Sequence, residues 1–382
     1  MPHPHLPSET GGQVLPRGLP NAHYNDPAVL DREGRALLCN SWASIGFAKD
    51  VPKPGDARPA DLLGRPLLIM RGADGAVRVF ENVCRHRGMV LLDEPGNVGQ
   101  VLRCPYHAWC YGLDGSLRTT PHVGGPNRHE HPDVDRAKLG LLEVRSAVWM
   151  DVVFVNLSGD APDFSEFIGG LAGRWSDFAG RALHHGGACS SFGLEVGCNW
   201  KLAVENYCES YHLPSVHPGL NRYSRLEDHY EIIGPGGAYA GQGTRVYAPT
   251  LDPSGRRFDS FAGLPRIWDT QAEYVALFPN TLLGVHRDHC YAIVLEPVGP
   301  MRTREHVAIY YASERTLDDD WRDMRETNAE LWRAVFVEDV FAVEGMQRGR
   351  AAAGFDGGVL SPIMDAPTRI FHEWVARMYG AE

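Results

Sequence analysis

Two short cysteine–histidine pairs constrain this chain more than any other feature in it. Cys84 and His86 stand in "CRHRG" at 84–88, and Cys104 and His107 in "CPYHAW" at 104–109, giving the pattern C-x-H-x17-C-x2-H. Such donors act together only if two turns are brought face to face, so the surrounding fold must hold two loops in fixed register. The neighbourhood supplies that material. From about Arg65 to Leu157 short β-rich runs are punctuated by glycine, and Ala73-Asp74-Gly75 and Asp114-Gly115 are hairpin signals. A compact all-β module is expected, with the Cys–His pairs on two of its turns.

One zinc ion could take all four side chains. Structural zinc sites, however, usually hold their thiolates as C-x(2–4)-C knuckles, and the single residue between Cys84 and His86 is tight for that geometry. In a two-iron two-sulfide cluster one iron takes both cysteines and the other both histidines, so each short motif donates one ligand to each iron. Here the sequence resembles Rieske proteins, and "CRHRGMVLL" with "CPYHAWCYGLDG" is similar to the form in Rieske-type non-haem iron oxygenases. Cys39, Cys110, Cys189, Cys198, Cys208 and Cys290 have no histidine at such spacing and read as small core residues.

A Rieske cluster only passes single electrons, so the chain needs a place to use them. "NWKLAVENYCESYHLPSVHP", residues 199–218, offers one. Trp200, Val204, Tyr207 and Tyr211 follow helical spacing, and Pro214 predicts that the helix ends just after His212. His217 then returns from a loop, and the break lets both imidazoles converge. A facial triad on ferrous iron needs one carboxylate beside two histidines. Glu205 and Glu209 are nearby, and Asp339 interrupts an apolar helix face of Val335, Phe336, Val340 and Val343. Periodicity alone leaves Glu338-Asp339 equally readable as an exposed step.

The resemblance chooses among them. In these oxygenases "N-W-K…E-N…D/E-x2-H-x4-H" precedes, by more than a hundred residues, an Asp on the long C-terminal helix that supplies the third ligand, which implies Asp339. The acid three residues before the first histidine is commonly Asp there. Glu209 in that place resembles the branch acting on quaternary ammonium compounds such as carnitine and betaine. The resemblance further implies that Glu209 bridges His212 to His107 of a neighbouring subunit in a homotrimer. It implies an α+β chain: an N-terminal segment (1–40), an all-β Rieske domain (41–160) and a helix-grip, Bet v1-like catalytic domain (161–382) with a curved antiparallel sheet around a long helix.

The implied activity is that of a terminal oxygenase component, a monooxygenase with a [2Fe–2S] Rieske cluster and a mononuclear Fe(II). It uses O2 and electrons from a separate NAD(P)H-dependent flavin/iron–sulfur reductase to hydroxylate or N-demethylate a small organic molecule. Ring hydroxylation of an aromatic acid is the alternative within the class, and a non-catalytic Rieske carrier with a ligand-binding domain the alternative outside it. No G-x-G-x-x-G fingerprint occurs, so a partner supplies the reductant. A net charge of −11 argues against nucleic acid. The first twenty residues lack a signal-peptide pattern and no apolar run is long enough to span a membrane, so a cytoplasmic protein is expected.

Other residues carry plainer expectations. Asn199, Trp200 and Lys201 start and anchor a helix, and Glu205 is a surface i, i+4 partner of Lys201. Asn206 either orients an iron ligand or faces solvent. His122, His184, His185, His286, His289 and the N-terminal histidines read as surface or strand residues. Tyr207, Tyr211 and Tyr311 are core aromatics or a cage for a cation. "SGDAPDFSEF" reads as a linker, and a long helix is predicted from Leu317 to about Arg350.

Overall fold

The computed structural model describes residues 16–380. His3 and His5, and most of the stretch expected to lack a leader, lie outside them. Asp26-Pro27 opens a helix as predicted: the Asp26 carboxylate accepts from Ala28 N at 2.8 Å at the head of Pro27–Glu33. Wider π-type turns prolong it over Gly34–Cys39. This segment packs on the C-terminal part of the chain, where Tyr24, Ala36 and Leu37 join a core with Trp200, Leu202 and Trp374.

The β module is a seven-stranded antiparallel sheet ordered Ala43–Phe47, Val152–Asn156, Glu143–Trp149, Val77–Glu81, Arg65–Arg71, Asp56–Leu62, Gly96–Asn97. Beside it lies a three-stranded sheet of Val101–Arg103, Cys110–Gly112 and Leu117–Thr119. Both predicted hairpins form, with Gly75 and Gly115 in the left-handed region at φ +80° and +79°. Leu68, Phe80, Leu102, Trp109 and Tyr111 give the two sheets a core of their own, and Cys84 and Cys104 belong to it.

An eight-stranded antiparallel sheet forms the C-terminal part. Its order is His184–His185, Arg302–Tyr311, His289–Gly299, Thr281–Val285, Ala272–Leu277, Tyr239–Thr244, His229–Ile233, and Ser191–Val196 also pairs with Arg302–Tyr311. Both faces are covered. Val307, Ile309 and Tyr311 turn toward the helices, while Ala308 and Tyr310 pack with Trp42, Val152 and Phe154 of the β module. Two-sided burial is why Ala272–Leu277 and Thr281–Val285 read as near-continuous apolar runs rather than alternating ones.

The helix held by this curled sheet is Arg322–Gly349, 28 residues long. Its buried residues Asn328, Trp332, Phe336, Val343 and Gln347 recur at helical spacing, and Asp339 falls on that same stripe. The helix begins five residues later than predicted, because two short 3₁₀ turns, Glu314–Leu317 and Asp319–Trp321, come first. The expected linker is shorter than its sequence suggested: a helix begins at Phe164, within it, and runs to Arg174. A last helix, Ala366–Gly380, packs against the first turns of the chain and against Trp200–Cys208. Among the described residues no helix is long and apolar enough to cross a membrane.

Candidate active site

The two Cys–His loops have the same backbone. Cys84 N donates to Met89 O at 2.8 Å and Gly88 N returns to Cys84 O at 3.0 Å; Cys104 N donates to Trp109 O at 2.8 Å and Ala108 N returns to Cys104 O at 3.1 Å. Gly88 and Ala108, at corresponding places, both take positive φ. The thiols of Cys84 and Cys104 are buried, whereas His86 is exposed and His107 half-buried. The imidazole rings stand 4.6 Å apart at 71°, and His86 stacks on Trp109.

This donor set fits a Rieske cluster: two inner sulfurs, two outer nitrogens, and a His107 Nδ1 that is buried without a partner. Tyr111 accepts from Arg85 N at 3.0 Å, so its hydroxyl hydrogen is free to meet Cys84 Sγ at 3.3 Å. A hydrogen bond to a ligand sulfur is one of the levers on cluster potential.

The second cluster of donors is built around the helix Trp200–Cys208. Asn199 caps it, accepting from Lys201 N at 3.1 Å as expected of a helix start. Its end differs from expectation. The helix stops at Glu209, in extended backbone, rather than after His212. The cause is Glu209 itself, whose carboxylate accepts from Tyr211 N and, at 3.1 Å, from His212 N, capping a new turn in competition with the old helix. Pro214 then sits in the first turn of a short helix, Leu213–Val216, where its missing N–H costs nothing.

The result brings His212, His217 and Asp339 together, with one ligand atom from each within 4.8 Å of the others. Asp339 Oδ1 lies 2.9 Å from His217 Nε2 and 3.5 Å from His212 Nε2. The opposite ring nitrogens meet other carboxylates: His212 Nδ1 lies 2.7 Å from Glu209 Oε1 and His217 Nδ1 lies 2.8 Å from Glu338 Oε2. Carboxylates on both Nδ1 atoms fix the tautomer and leave the Nε2 lone pairs turned toward Asp339. Burial opposes charge on His217, but Asp339 and Glu338 together outweigh it and raise its pKa. Two imidazoles among three carboxylates make a place for a divalent cation, and the N2O donor set with open positions suits ferrous iron.

Several sequence expectations are corrected here. Glu338 is not a solvent bystander. Glu205 is buried rather than on the surface: its carboxylate accepts from Tyr24 Oη at 2.5 Å, with His372 Nε2 at 3.1 Å and Arg350 Nη2 at 3.8 Å. Lys201, fully buried, pairs instead with Glu33 at 2.6 Å. Asn206 does not face solvent: it is buried and donates to Asp339 Oδ1 at 2.9 Å.

His286 and His289 are buried and stacked 4.2 Å apart. Trp332 Nε1 donates to His289 Nε2 at 3.0 Å, which leaves Nδ1 to donate to Asp288 Oδ1 at 2.7 Å. Of the three tyrosines, only Tyr207 lines the cavity at the triad; Tyr211 is exposed and Tyr311 lies in the core with Phe258. The aromatic wall is completed by Tyr274, Tyr291, Trp332 and Phe336.

Sequence reasoning missed Glu305. It is buried on the inner face of Arg302–Tyr311, in step with Thr303, Val307 and Ile309, and lines a small cavity with Asn206, Tyr207, Phe336 and Asp339. Burial pushes its carboxyl up to about 8, and the Asp339 charge adds to the effect. The period-2 alternation of "TREHVAI" could have found it. A separate groove of about 680 Å³ between the two big sheets touches none of these residues.

Comparison with known proteins agrees with this architecture. Residues 174–381 match the ring hydroxylating alpha subunit (catalytic domain) family, and residues 41–132 match the Rieske [2Fe-2S] domain. The chain is 28% identical over 345 residues to the carnitine monooxygenase oxygenase subunit of Acinetobacter baumannii, covering 88% of this chain and 86% of that one. It is 28% identical over 390 residues to the putrescine 2-hydroxylase of Ralstonia nicotianae, covering 98% and 96%. The crystal structure of a quaternary ammonium Rieske monooxygenase in complex with L-carnitine superposes with a TM-score of 0.75 at 25% identity over 96% of each chain. The chain therefore belongs to the Rieske-type ring-hydroxylating oxygenases, as an alpha subunit of the kind that carries both a Rieske [2Fe–2S] cluster and a mononuclear iron.

Proposed function

We propose that this protein is the terminal oxygenase of a Rieske monooxygenase that hydroxylates, or by hydroxylation N-demethylates, a small ammonium compound of the quaternary ammonium, betaine or amine kind. One observation carries the reading: the cavity at the triad is walled by the rings of Tyr207, Tyr274, Tyr291, Trp332 and Phe336, and no Lys or Arg lines it. Aromatic faces attract cations. An aromatic acid would find no Lys or Arg for its carboxylate there. The relatives named for carnitine and putrescine act on ammonium compounds, which supports the same class.

In this reading Cys84, His86, Cys104 and His107 hold the cluster, and His212, His217 and Asp339 hold the iron. When bound, the cluster supplies single electrons and the iron supplies oxygen activation. The chain's own residues hold the rest in place. Glu209 and Glu338 orient the two imidazoles, Asn206 holds Asp339, and the aromatic wall excludes water from the substrate. We assign residues 16–40 to a segment docked on the catalytic domain, 41–160 to the Rieske domain and 161–380 to the catalytic domain.

We further propose a homotrimer in which Glu209 connects His212 to His107 of the next subunit. Glu209 borders a groove of about 440 Å³ edged by the exposed Ile363, and Tyr106, beside His107, is exposed as well. Oε2 is filled by the backbone N–H groups of Tyr211 and His212, whereas Oε1, which meets only His212 Nδ1, keeps a lone pair for one more donor. A separate NAD(P)H-dependent flavin/iron–sulfur reductase in the cytoplasm would feed the cluster.

The test is oxygen uptake and product analysis with iron-loaded protein and a surrogate reductase, over betaines, amines and aromatic acids. Hydroxylated or demethylated ammonium product is expected. Turnover of aromatic acids alone would overturn the substrate class. Failure of every compound on protein with full iron and sulfide would favour the carrier.

A further inference from the structure

The Glu305 carboxyl group makes no hydrogen bond and no ion pair with any described residue. A carboxylate removed from water without partners is costly, and native interiors leave few such groups unpaired. Its surroundings offer no donor. Val196, Leu282, Ile293 and Val343 form apolar walls. Asn206 turns its NH2 to Asp339 Oδ1 at 2.9 Å and to His212 Nε2 at 3.4 Å, and Tyr207 Oη donates to Leu283 O while accepting from Tyr291 Oη. Thr303, next on the same strand face, gives its hydroxyl to Cys198 O.

A second acceptor in the same cavity is also short of a donor. With its NH2 committed to Asp339, Asn206 is left with an amide oxygen that is buried and without a partner. Once Glu305 is ionised, two acceptors without donors therefore line one cavity, and no Lys or Arg lines it. The cavity shares Asn206, Tyr207, Phe336 and Asp339 with the cavity at the triad, so the two are neighbouring compartments of one site. Its volume is about 30 Å³. That is room for one or two water-sized groups.

We infer that Glu305 and Asn206 Oδ1 receive an N–H-bearing ammonium group at the end of the substrate remote from the oxidised carbon, so that the enzyme takes terminal primary amines, α,ω-diamines among them. This rests on the ammonium reading above and narrows it. A primary ammonium brings three donors to two acceptors in a space of its own size. A trimethylammonium group brings none and is too bulky for the compartment. The aromatic wall at the triad remains available for the other end of the molecule.

The experiment is calorimetric binding to anaerobic, iron-loaded holoenzyme of three ligands that share a trimethylammonium at one end of a four-carbon chain and carry at the other a primary ammonium, a hydroxyl or a second trimethylammonium. Wild type should bind the ligand with the primary ammonium about 10- to 100-fold more tightly than either of the others, the range expected for a charge-assisted hydrogen bond. Glu305→Gln, which keeps volume and burial, should erase that preference while cluster absorbance and iron content stay at wild-type levels. Equal affinity for all three in wild type would overturn the inference without needing any variant. A preference that survives in Glu305→Gln would overturn it too. In both cases the ammonium reading stands as long as some ammonium compound is oxidised, whereas oxidation of none ends both.

Discussion

Glu338 and Asp339, consecutive residues of one helix, hold opposite edges of the His217 ring: Glu338 Oε2 lies 2.8 Å from Nδ1 and Asp339 Oδ1 lies 2.9 Å from Nε2. Consecutive helical positions point about 100° apart, so one imidazole inserted between them can meet both. Glu338 is 43% exposed against 3% for the His217 side chain, so it reaches inward from the solvent side to do this.

That contact gives the first prediction. A carboxylate behind a metal-bound imidazole typically accounts for about 10- to 100-fold in metal affinity. Glu338→Ala should therefore lose iron faster to a chelator than wild type, with the cluster absorbance unchanged. Wild-type iron retention would return Glu338 to the role of a surface acid.

The second prediction concerns the independence of the two metal sites, whose proposed ligand sets share no residue. Cys104→Ser should lose the visible absorption of the cluster, while His217→Ala and Asp339→Ala should keep it and retain two irons and two sulfides per chain. All three should lose turnover. Bleaching of the cluster in folded His217→Ala would mean that the ligands have been divided wrongly.

How far the site was legible follows from where each partner lies in the chain. The Cys–His pairs announce themselves because each is local, within three residues. Asp339 lies 122 residues from His217, and spacing alone left it level with Glu205 and Glu209. Lys201 and Glu205 show where local rules fail. Their i, i+4 spacing predicts a surface pair, yet Lys201 reaches Glu33, and Glu205 reaches Tyr24, Arg350 and His372, partners drawn from both ends of the chain. No local pattern carries that information. The position of Glu209 shows the converse: the contact with His212 that the resemblance implies exists, but in a turn that Glu209 itself creates by ending the helix.

The buried pair supplies the third prediction. Lys201 and Glu33 are 0% and 1% exposed, and burial pulls the lysine pKa down against the pull of Glu33. Removing one partner of such a pair costs about 3–5 kcal/mol because the other is left charged and buried. Lys201→Met should lower the unfolding midpoint strongly, softened by His23, whose Nδ1 lies 2.7 Å from Glu33. Adding Glu33→Gln should recover part of the loss. If the double variant is no more stable than Lys201→Met, the stranded charge is not the cause.

The last prediction concerns Glu209, where three contacts compete for one side chain. Oε1 lies 2.7 Å from His212 Nδ1, while Oε2 accepts from the backbone N–H groups of Tyr211 and His212. Gln at this position has nearly the same volume but only one acceptor oxygen. It must either keep the ring contact and turn its NH2 toward two backbone N–H groups, or keep the turn and present NH2 to the imidazole. The first choice loosens the turn; the second disfavours the tautomer that offers Nε2 to the metal. Glu209→Asp retains both oxygens and the charge but is one methylene shorter, so it tests reach alone. If Glu209 only shapes the turn, both variants should load less iron, and whatever iron they load should react at the wild-type rate. If it also carries the connection to a neighbouring subunit's cluster, iron-replete Glu209→Gln should show slow oxidation of a prereduced cluster in a single turnover with substrate and oxygen. The slowing should exceed the loss in iron occupancy by about tenfold or more, more than 1.4 kcal/mol on the barrier. Wild-type single-turnover rates in iron-replete Glu209→Gln would remove the bridge and leave Glu209 as the residue that ends one helix and aims one imidazole.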